Sequence, residues 1–163
     1  MGTAQWGSNY GITNKSGKIN LKEIEKIVNF CFDNDIKLYD TARGYGNAEK
    51  FFGKLNKKYE GKTKIISKIK DFRLGNTYFK KKKIRELILT THKNTFQKNI
   101  EGMLIHDDDL LDNKYFPYIW EVLSELKNEF RIKKIGISTY KYNINIKLLR
   151  KYRFDIVQLP FNI

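Results

Sequence analysis

The sequence predicts an α/β fold, a (β/α)8 TIM barrel of which residues 1–163 supply strands 1 to 6, about six of the eight βα units, as a single domain. Two observations carry this. Apolar runs of roughly five residues alternate with amphipathic stretches of ten or more, the pattern of parallel strands joined by right-handed helical crossovers. The runs also share a parity, because side chains alternate faces along a strand. Leu38 with Asp40, Ile66 with Lys68, Leu104 with His106, Gly136 with Ser138 and Ile156 with Gln158 each set a terminal polar residue on the face opposite Ile65, Ile105, Ile137 and Val157. An open doubly wound sheet gives the same alternation of strand and helix but needs apolar residues on both faces. A barrel lumen accounts for one face that turns polar at its carboxyl end.

The elements follow in order. Met1 to Gln5 reads as the first strand, broken by the Gly-rich turn from Trp6 to Gly11. Asn20 followed by Glu23 has the spacing of a capping box, and Leu21, Ile24, Ile27, Val28, Cys31 and Phe32 recur at helical steps. Ile36 to Asp40 is the second strand. Asn47 is placed to cap a helix with Ala48, Phe51, Phe52 and Leu55 on one face, and Lys64 to Lys68 is the third strand. Ile84, Leu87, Ile88 and Phe96 mark a helix before the strand Gly102 to His106, and Ile119, Val122, Leu123, Leu126 and Phe130 mark another before Lys134 to Ser138. Ile144, Leu148 and Leu149 form a short helix ahead of the sixth strand, Asp155 to Leu159. No linker, low-complexity segment or near-identical repeat interrupts the pattern.

Composition excludes several classes. With 40% hydrophobic and 14% aromatic residues the chain buries a core, so disorder is not expected. No stretch approaches the roughly 18 uninterrupted apolar residues of a membrane span, and the first residues lack the basic and apolar segments of a signal peptide, so the expected location is the cytoplasm. Cys31 is the single cysteine, which rules out an internal disulfide. The net charge of +14 is spread as lysine over every helix, and its densest run, Lys80 to Lys83, has no aromatic platform or recognition-helix pattern beside it. It is read as solvated surface, with no nucleic-acid partner. Asp107, Asp108 and Asp109 are consecutive carboxylates that point different ways, with no His or Cys cluster, so no metal site is expected. Gly44 and Gly46 lack the third glycine of a dinucleotide fingerprint. His92, in mid-helix, reads as structural or exposed.

The chain is organised around Asp40-Thr41-Ala42-Arg43-Gly44-Tyr45-Gly46, where an apolar run stops and a helix starts. This sets an acid and a phenol at the end of one βα unit, and the next strands deliver Lys68 and His106 to the same edge. A phenol has an ordinary pKa of roughly 10, so a catalytic tyrosine calls for a neighbouring cation that favours the phenolate. Lys68 supplies that charge, Asp40 is its carboxylate partner, and His106 is suited to hold a carbonyl oxygen. Together they form a proton-donating pocket for a carbonyl becoming an alcohol, with the hydride coming from elsewhere.

Those residues resemble a known family. D-T-A-R-G-Y-G-N-A-E at Asp40 to Glu49 resembles the signature of the aldo-keto reductases, with Asp and Tyr at that family's spacing. G-T-A at Gly2 to Ala4, I-S-K at Ile66 to Lys68, L-I-H-D at Leu104 to Asp107, I-G-I-S at Ile135 to Ser138 and Q-L-P-F-N at Gln158 to Asn162 match it in register. The resemblance implies that Tyr45 is the proton donor, Asp40 and Lys68 its tuning pair, and His106 the substrate-orienting residue. It also implies that Ser138 and Gln158 bind the nicotinamide amide and Thr3 meets the cofactor ribose. The implied cofactor is NADPH, with NADH possible, the substrate a small carbonyl compound, and no metal is needed.

Thr139 stands where many family members have Asn. The phosphate-binding loop and the aromatic that stacks on the nicotinamide come, in the family, from strands seven and eight. A second class stays open beside the reductase, namely a cofactor-binding regulatory or non-catalytic member of the same fold. For the 163-residue chain alone the expectation is no measurable NADPH turnover and only weak binding of the nicotinamide end. Titration with NADPH followed by protein fluorescence checks it; tight saturable binding with steady turnover contradicts it.

Overall fold

The computed structural model describes residues 1–59, 61–74, 77–78, 80–106, 110–141 and 146–160. Its elements are α1 (Ala4–Gly7), α2 (Leu21–Asp33), β1 (Leu38–Asp40), α3 (Ala48–Lys58), β2 (Lys64–Ile69), β3 (Arg73–Leu74), β4 (Thr77–Tyr78), α4 (Lys81–Thr95), β5 (Ile100–Ile105), α5 (Phe116–Glu129), β6 (Ile132–Ser138), α6 (Ile146–Tyr152) and β7 (Ile156–Gln158). Strands β1, β2, β5, β6 and β7 make one parallel sheet in that order. It curls into half a barrel with helices between the strands, an incomplete (β/α) barrel as the periodicity predicts. β3 and β4 add a small antiparallel hairpin that the sequence reading lacks, since strands of two residues carry no legible period.

The expected first strand is shorter than its apolar run suggests. Gly2 forms an isolated parallel bridge to Asp40, with Asp40 N donating to Met1 O at 2.8 Å and Thr3 N to Asp40 O at 2.9 Å. The segment does run beside β1. It then coils at once into α1, where Trp6 N donates to Thr3 O at 2.9 Å, so the alternation expected through Gln5 has no room to develop. Asn20 caps α2 as the spacing predicts, its Oδ1 accepting from Glu23 N at 3.0 Å. Asn47 occupies the cap position of α3 but its side chain makes no capping bond; the turn is closed by Ala48 N donating to Tyr45 O at 3.0 Å. Ile144, Asp107 to Asp109 and Asn162, invoked from the sequence, lie outside the described residues. No helix among the described residues is long and apolar enough to cross a membrane.

The parity argument holds in three dimensions. Ile65, Ile105 and Ile137 are buried beneath Phe52, Ile88, Ile119 and Leu123 of the helical layer. On the other face Leu38, Ile66, Leu104 and Ile156 line a concave apolar cleft of about 610 Å³, and Leu38 remains 42% exposed. Two glycines on this face permit the curl. A Cβ at Gly136 would lie 1.8 Å from Ile156 O of the adjoining strand, and one at Gly102 would lie 3.0 Å from Ile156 Cδ1 and 3.1 Å from Ile66 Cγ1. Strand β7 is thereby drawn in over β5, and the carboxyl ends of the strands converge.

Gly136→Ala should therefore lower stability by about 1–3 kcal/mol, because the backbone of β7 must retreat. Gly2→Ala, with nothing within 4 Å of the new methyl, should stay within about 0.5 kcal/mol of the parent. Urea unfolding of both variants checks the contrast; equal midpoints would mean that β7 is not held against β6 at this distance.

Candidate active site

Beyond Asp40 the loop continues the ladder to the next strand. Thr41 N donates to Ile66 O at 2.9 Å and Arg43 N to Lys68 O at 3.1 Å, and the turn then closes with Tyr45 N donating to Ala42 O at 3.0 Å. Helix α1 backs this turn without a gap. A Cβ at Gly7 would fall 1.5 Å from Tyr45 O, and one at Gly46, whose φ is +55°, would fall 2.4 Å from Gly7 O. Only a residue without a side chain fits at either position, and Gly46 also needs the left-handed backbone that glycine adopts freely. Tyr45 is thus seated by backbone packing.

Lys68 emerges on the inner face at 1% side-chain exposure, against 29% for Asp40. Its Nζ donates to Asp40 Oδ1 and Oδ2, each at 2.7 Å, and to Thr41 O at 3.0 Å. These contacts use the three hydrogens of an ammonium group. The same Nζ lies 5.1 Å from the centroid of the Tyr45 ring, and the His106 ring meets Tyr45 edge-on at 6.0 Å and 88°. Thr3 Oγ1 and N both donate to Asp40 O, at 3.0 and 2.9 Å. Ser138 faces Gln158 in the register of β6 and β7, and Gln158 Nε2 donates to Asp40 Oδ1 at 3.2 Å. Thr3, Asp40, Tyr45, Lys68, His106, Ser138 and Gln158 all line one cleft of about 440 Å³. The seven site residues named from the sequence are all brought to it.

The electrostatics differ from the sequence expectation at one point. Lys68 was expected to favour the Tyr45 phenolate, yet the Tyr45 hydroxyl is pushed up to about 12, first by burial, then by the charge of Asp40 and by Tyr10 and Tyr140. The reason is that the Lys68 charge is matched at contact distance by the Asp40 carboxylate. Burial pulls the Lys68 amine below its ordinary value, while Asp40 acts in the opposite direction. Breaking such a buried pair by removing one partner typically costs about 3–5 kcal/mol, because the other charge is left buried and alone.

Sequence reasoning missed several contributors. Glu49 is 2% exposed and holds three elements together: its carboxylate accepts from Ser67 Oγ at 2.8 Å, Thr91 Oγ1 at 2.9 Å and Asn94 Nδ2 at 3.0 Å. Ser67 precedes Lys68, so this cluster fixes β2 from its outer side. The signal was present, because Glu49, Phe52, Gly53 and Asn56 recur at i, i+3, i+4 and i+7 and all are buried. Tyr10 and Tyr140 also line the cleft, with their hydroxyls 3.4 Å apart. They lie on irregular segments with no period to reveal them. Thr139 is buried after β6, its N donating to Gln158 O at 3.0 Å and its Oγ1 accepting from Lys141 N at 3.0 Å.

Comparison with known proteins bears on the family and the fold. The model of the aldo/keto reductase family matches residues 1–163. Among solved structures, a Pseudomonas aeruginosa protein described as an aldo-keto reductase superposes with a TM-score of 0.78 at 25% identity, covering 100% of this chain and 62% of its own. An aldo-keto reductase from Bacillus halodurans in its holo form gives 0.71 at 19% identity, over 99% and 52% of the two chains. Glycerol dehydrogenase from Gluconobacter oxydans gives 0.68 at 20% identity, over 99% and 50%. The last two likenesses concern the fold alone. The chain spans less than two thirds of the length of these structures, and no curated protein matches it.

The raised phenol is directly measurable. Because the chain has ten tyrosines, an alkaline absorbance titration of the parent minus that of Tyr45→Phe isolates one ionisation. It should centre near 12 rather than at the ordinary 10.0. A midpoint below 10 would mean that the Lys68 cation outweighs burial and Asp40.

Proposed function

Since this chain belongs to the aldo/keto reductase family, we propose that it carries the catalytic edge of an oxidoreductase that reduces an aldehyde or ketone to an alcohol, with NADPH, or NADH, as hydride donor. The observation that supports this reading best is the fully buried Lys68 ammonium, clasped by Asp40 directly beside the Tyr45 ring at the mouth of the cleft. A merely structural tyrosine has no need of a buried ion pair and a histidine edge around its ring.

The residues suit a nicotinamide. Gln158 lines the cleft, and its Oε1 is buried with no hydrogen-bond partner among the described residues. An unmet buried acceptor of this kind is costly unless a ligand donor meets it. Ser138 and Gln158 would hold the carboxamide, and Thr3 would lie nearer the ribose. When bound, the cofactor supplies a hydride to the carbonyl carbon.

The remaining steps belong to the chain. A phenol held near 12 is fully protonated at neutral pH, so Tyr45 is loaded as a donor. An alkoxide is a stronger base than a phenolate, and the proton therefore passes from Tyr45 Oη to the carbonyl oxygen as negative charge develops there. The phenolate left behind faces the Lys68 ammonium, which stabilises it when it forms, while Asp40 keeps that ammonium in place and charged. His106, edge-on to Tyr45, is placed to hold the same oxygen. The substrate is a small carbonyl compound that enters the cleft lined by Tyr45 and His106.

In a polypeptide carrying this chain within a complete barrel, NADPH oxidation followed optically with a panel of aldehydes should fall by roughly 10²–10⁴ in Tyr45→Phe, which keeps the ring and removes the proton. Cofactor affinity should be nearly unchanged, and Lys68→Met should act in the same direction. Turnover within tenfold of the parent in Tyr45→Phe would point to another acid.

A further inference from the structure

We propose that Lys70 selects the substrate of this site by charge: it holds a carboxylate or phosphate that the carbonyl compound carries a few bonds from its carbonyl carbon. The inference rests on the reductase reading and deepens it. Lys70 directly follows β2, two residues beyond Lys68, and His106 N donates to Ile69 O at 2.8 Å, so Lys70 leaves the sheet alongside His106. Its side chain lies against Gly44, the residue before Tyr45. A Cβ at Gly44 would fall 2.9 Å from Lys70 Cε and 3.2 Å from Nζ. The amine is thus set against the turn that carries the proton donor, next to the strand end that carries His106, and both of those residues line the cleft.

The protein itself leaves this charge unmatched. Lys70 is half-buried, yet among the described residues no carboxylate pairs with it or with Arg43, the other cation of the turn, whose Nη1 is buried without a partner. Asp40, the acid on this edge, already receives Lys68 and Gln158. Lys68 cannot bind a substrate anion in its place, because its three hydrogens are committed to Asp40 and Thr41. A lysine stem can cover a glycine for packing alone, but a methionine would do the same, and packing does not call for the charge. An anionic group on the substrate supplies the missing counter-charge, and such a charge-assisted hydrogen bond is stronger than one between neutral groups. The net charge of +14 draws anions to the whole molecule. Lys70 adds a position at which one is held.

The test compares charged and uncharged aldehydes of matched length in a polypeptide carrying this chain within a complete barrel, with NADPH oxidation as the readout. Succinic semialdehyde is paired with butanal for the carboxylate, and glycolaldehyde phosphate with propanal for the phosphate. In at least one pair the parent should favour the anion about tenfold in kcat/KM, the order expected for one hydrogen bond to a charged group; the pair with the larger ratio identifies the anion. Lys70→Met keeps the stem and removes the charge, and the ratio should shrink to within about twofold of unity. Lys70→Arg should keep the preference. Lys98→Met removes the same charge from an exposed position two residues before β5, at the opposite end of that strand from His106, and should leave the ratio as it is. A parent without preference in either pair, a preference that survives in Lys70→Met, or an equal fall in Lys98→Met overturns the inference while leaving the reductase reading intact. Failure of the parent to reduce any of the four aldehydes overturns both.

Discussion

The site depends on one buried ion pair. A lysine on the inner face of a strand has no water to solvate it, and burial alone drives its amine toward the neutral form. Asp40 opposes that drive from the end of the neighbouring strand, and Thr41 O takes the remaining hydrogen. The pairing of Lys68 with Asp40 across β1 and β2 therefore requires β2 to run past the end of β1, which their register delivers by setting Asp40 beside Ile66, two residues before Lys68. The fold and the electrostatics constrain each other here. The strands must stagger as they do for the amine to reach the carboxylate, and the charge is tolerated only because the strands do so.

Close backbone approach does the rest. Gly7 and Gly46 let α1 press on the turn that carries Tyr45. Gly53 lets α3 and α4 meet, a Cβ there falling 2.0 Å from Asn94 O, and Asn94 is one of the donors to Glu49. The chain of contacts runs from that helix pair through Glu49 and Ser67 into β2, and so to Lys68. A polar cluster at full burial is stable only when each member is satisfied, and the Glu49 carboxylate meets this with donors from β2 and α4. The inner wall is different in character, being apolar below and polar at the rim.

Much of this was legible in the sequence because the information was periodic or terminal. Strand parity alone identified the inner face and the residues at its carboxyl edge, and all of those named line the cleft. Element boundaries were less legible: the Met1 to Gln5 run looks extended, yet one bridge at Gly2 is all the strand it makes before α1 begins. Tyr10 and Tyr140 sit far apart in sequence on irregular segments, and only the curl of the sheet makes them neighbours. The sign of the Tyr45 shift was misjudged for a related reason. A sequence places a cation and its carboxylate partner near a phenol but does not say how deeply the phenol is buried, and burial is the largest cause of the rise.

The central claim is that Asp40 holds a buried, charged Lys68 at the proton donor. It is tested most directly by following the Lys68 side chain through a pH titration with ¹³Cε and ¹⁵Nζ NMR, in the parent and in Asp40→Ala. The account predicts a parent pKa below the ordinary 10.5 for lysine, and a further fall when Asp40 is removed, since burial then acts unopposed. An ordinary lysine value in the parent, or one that does not move in Asp40→Ala, would contradict it.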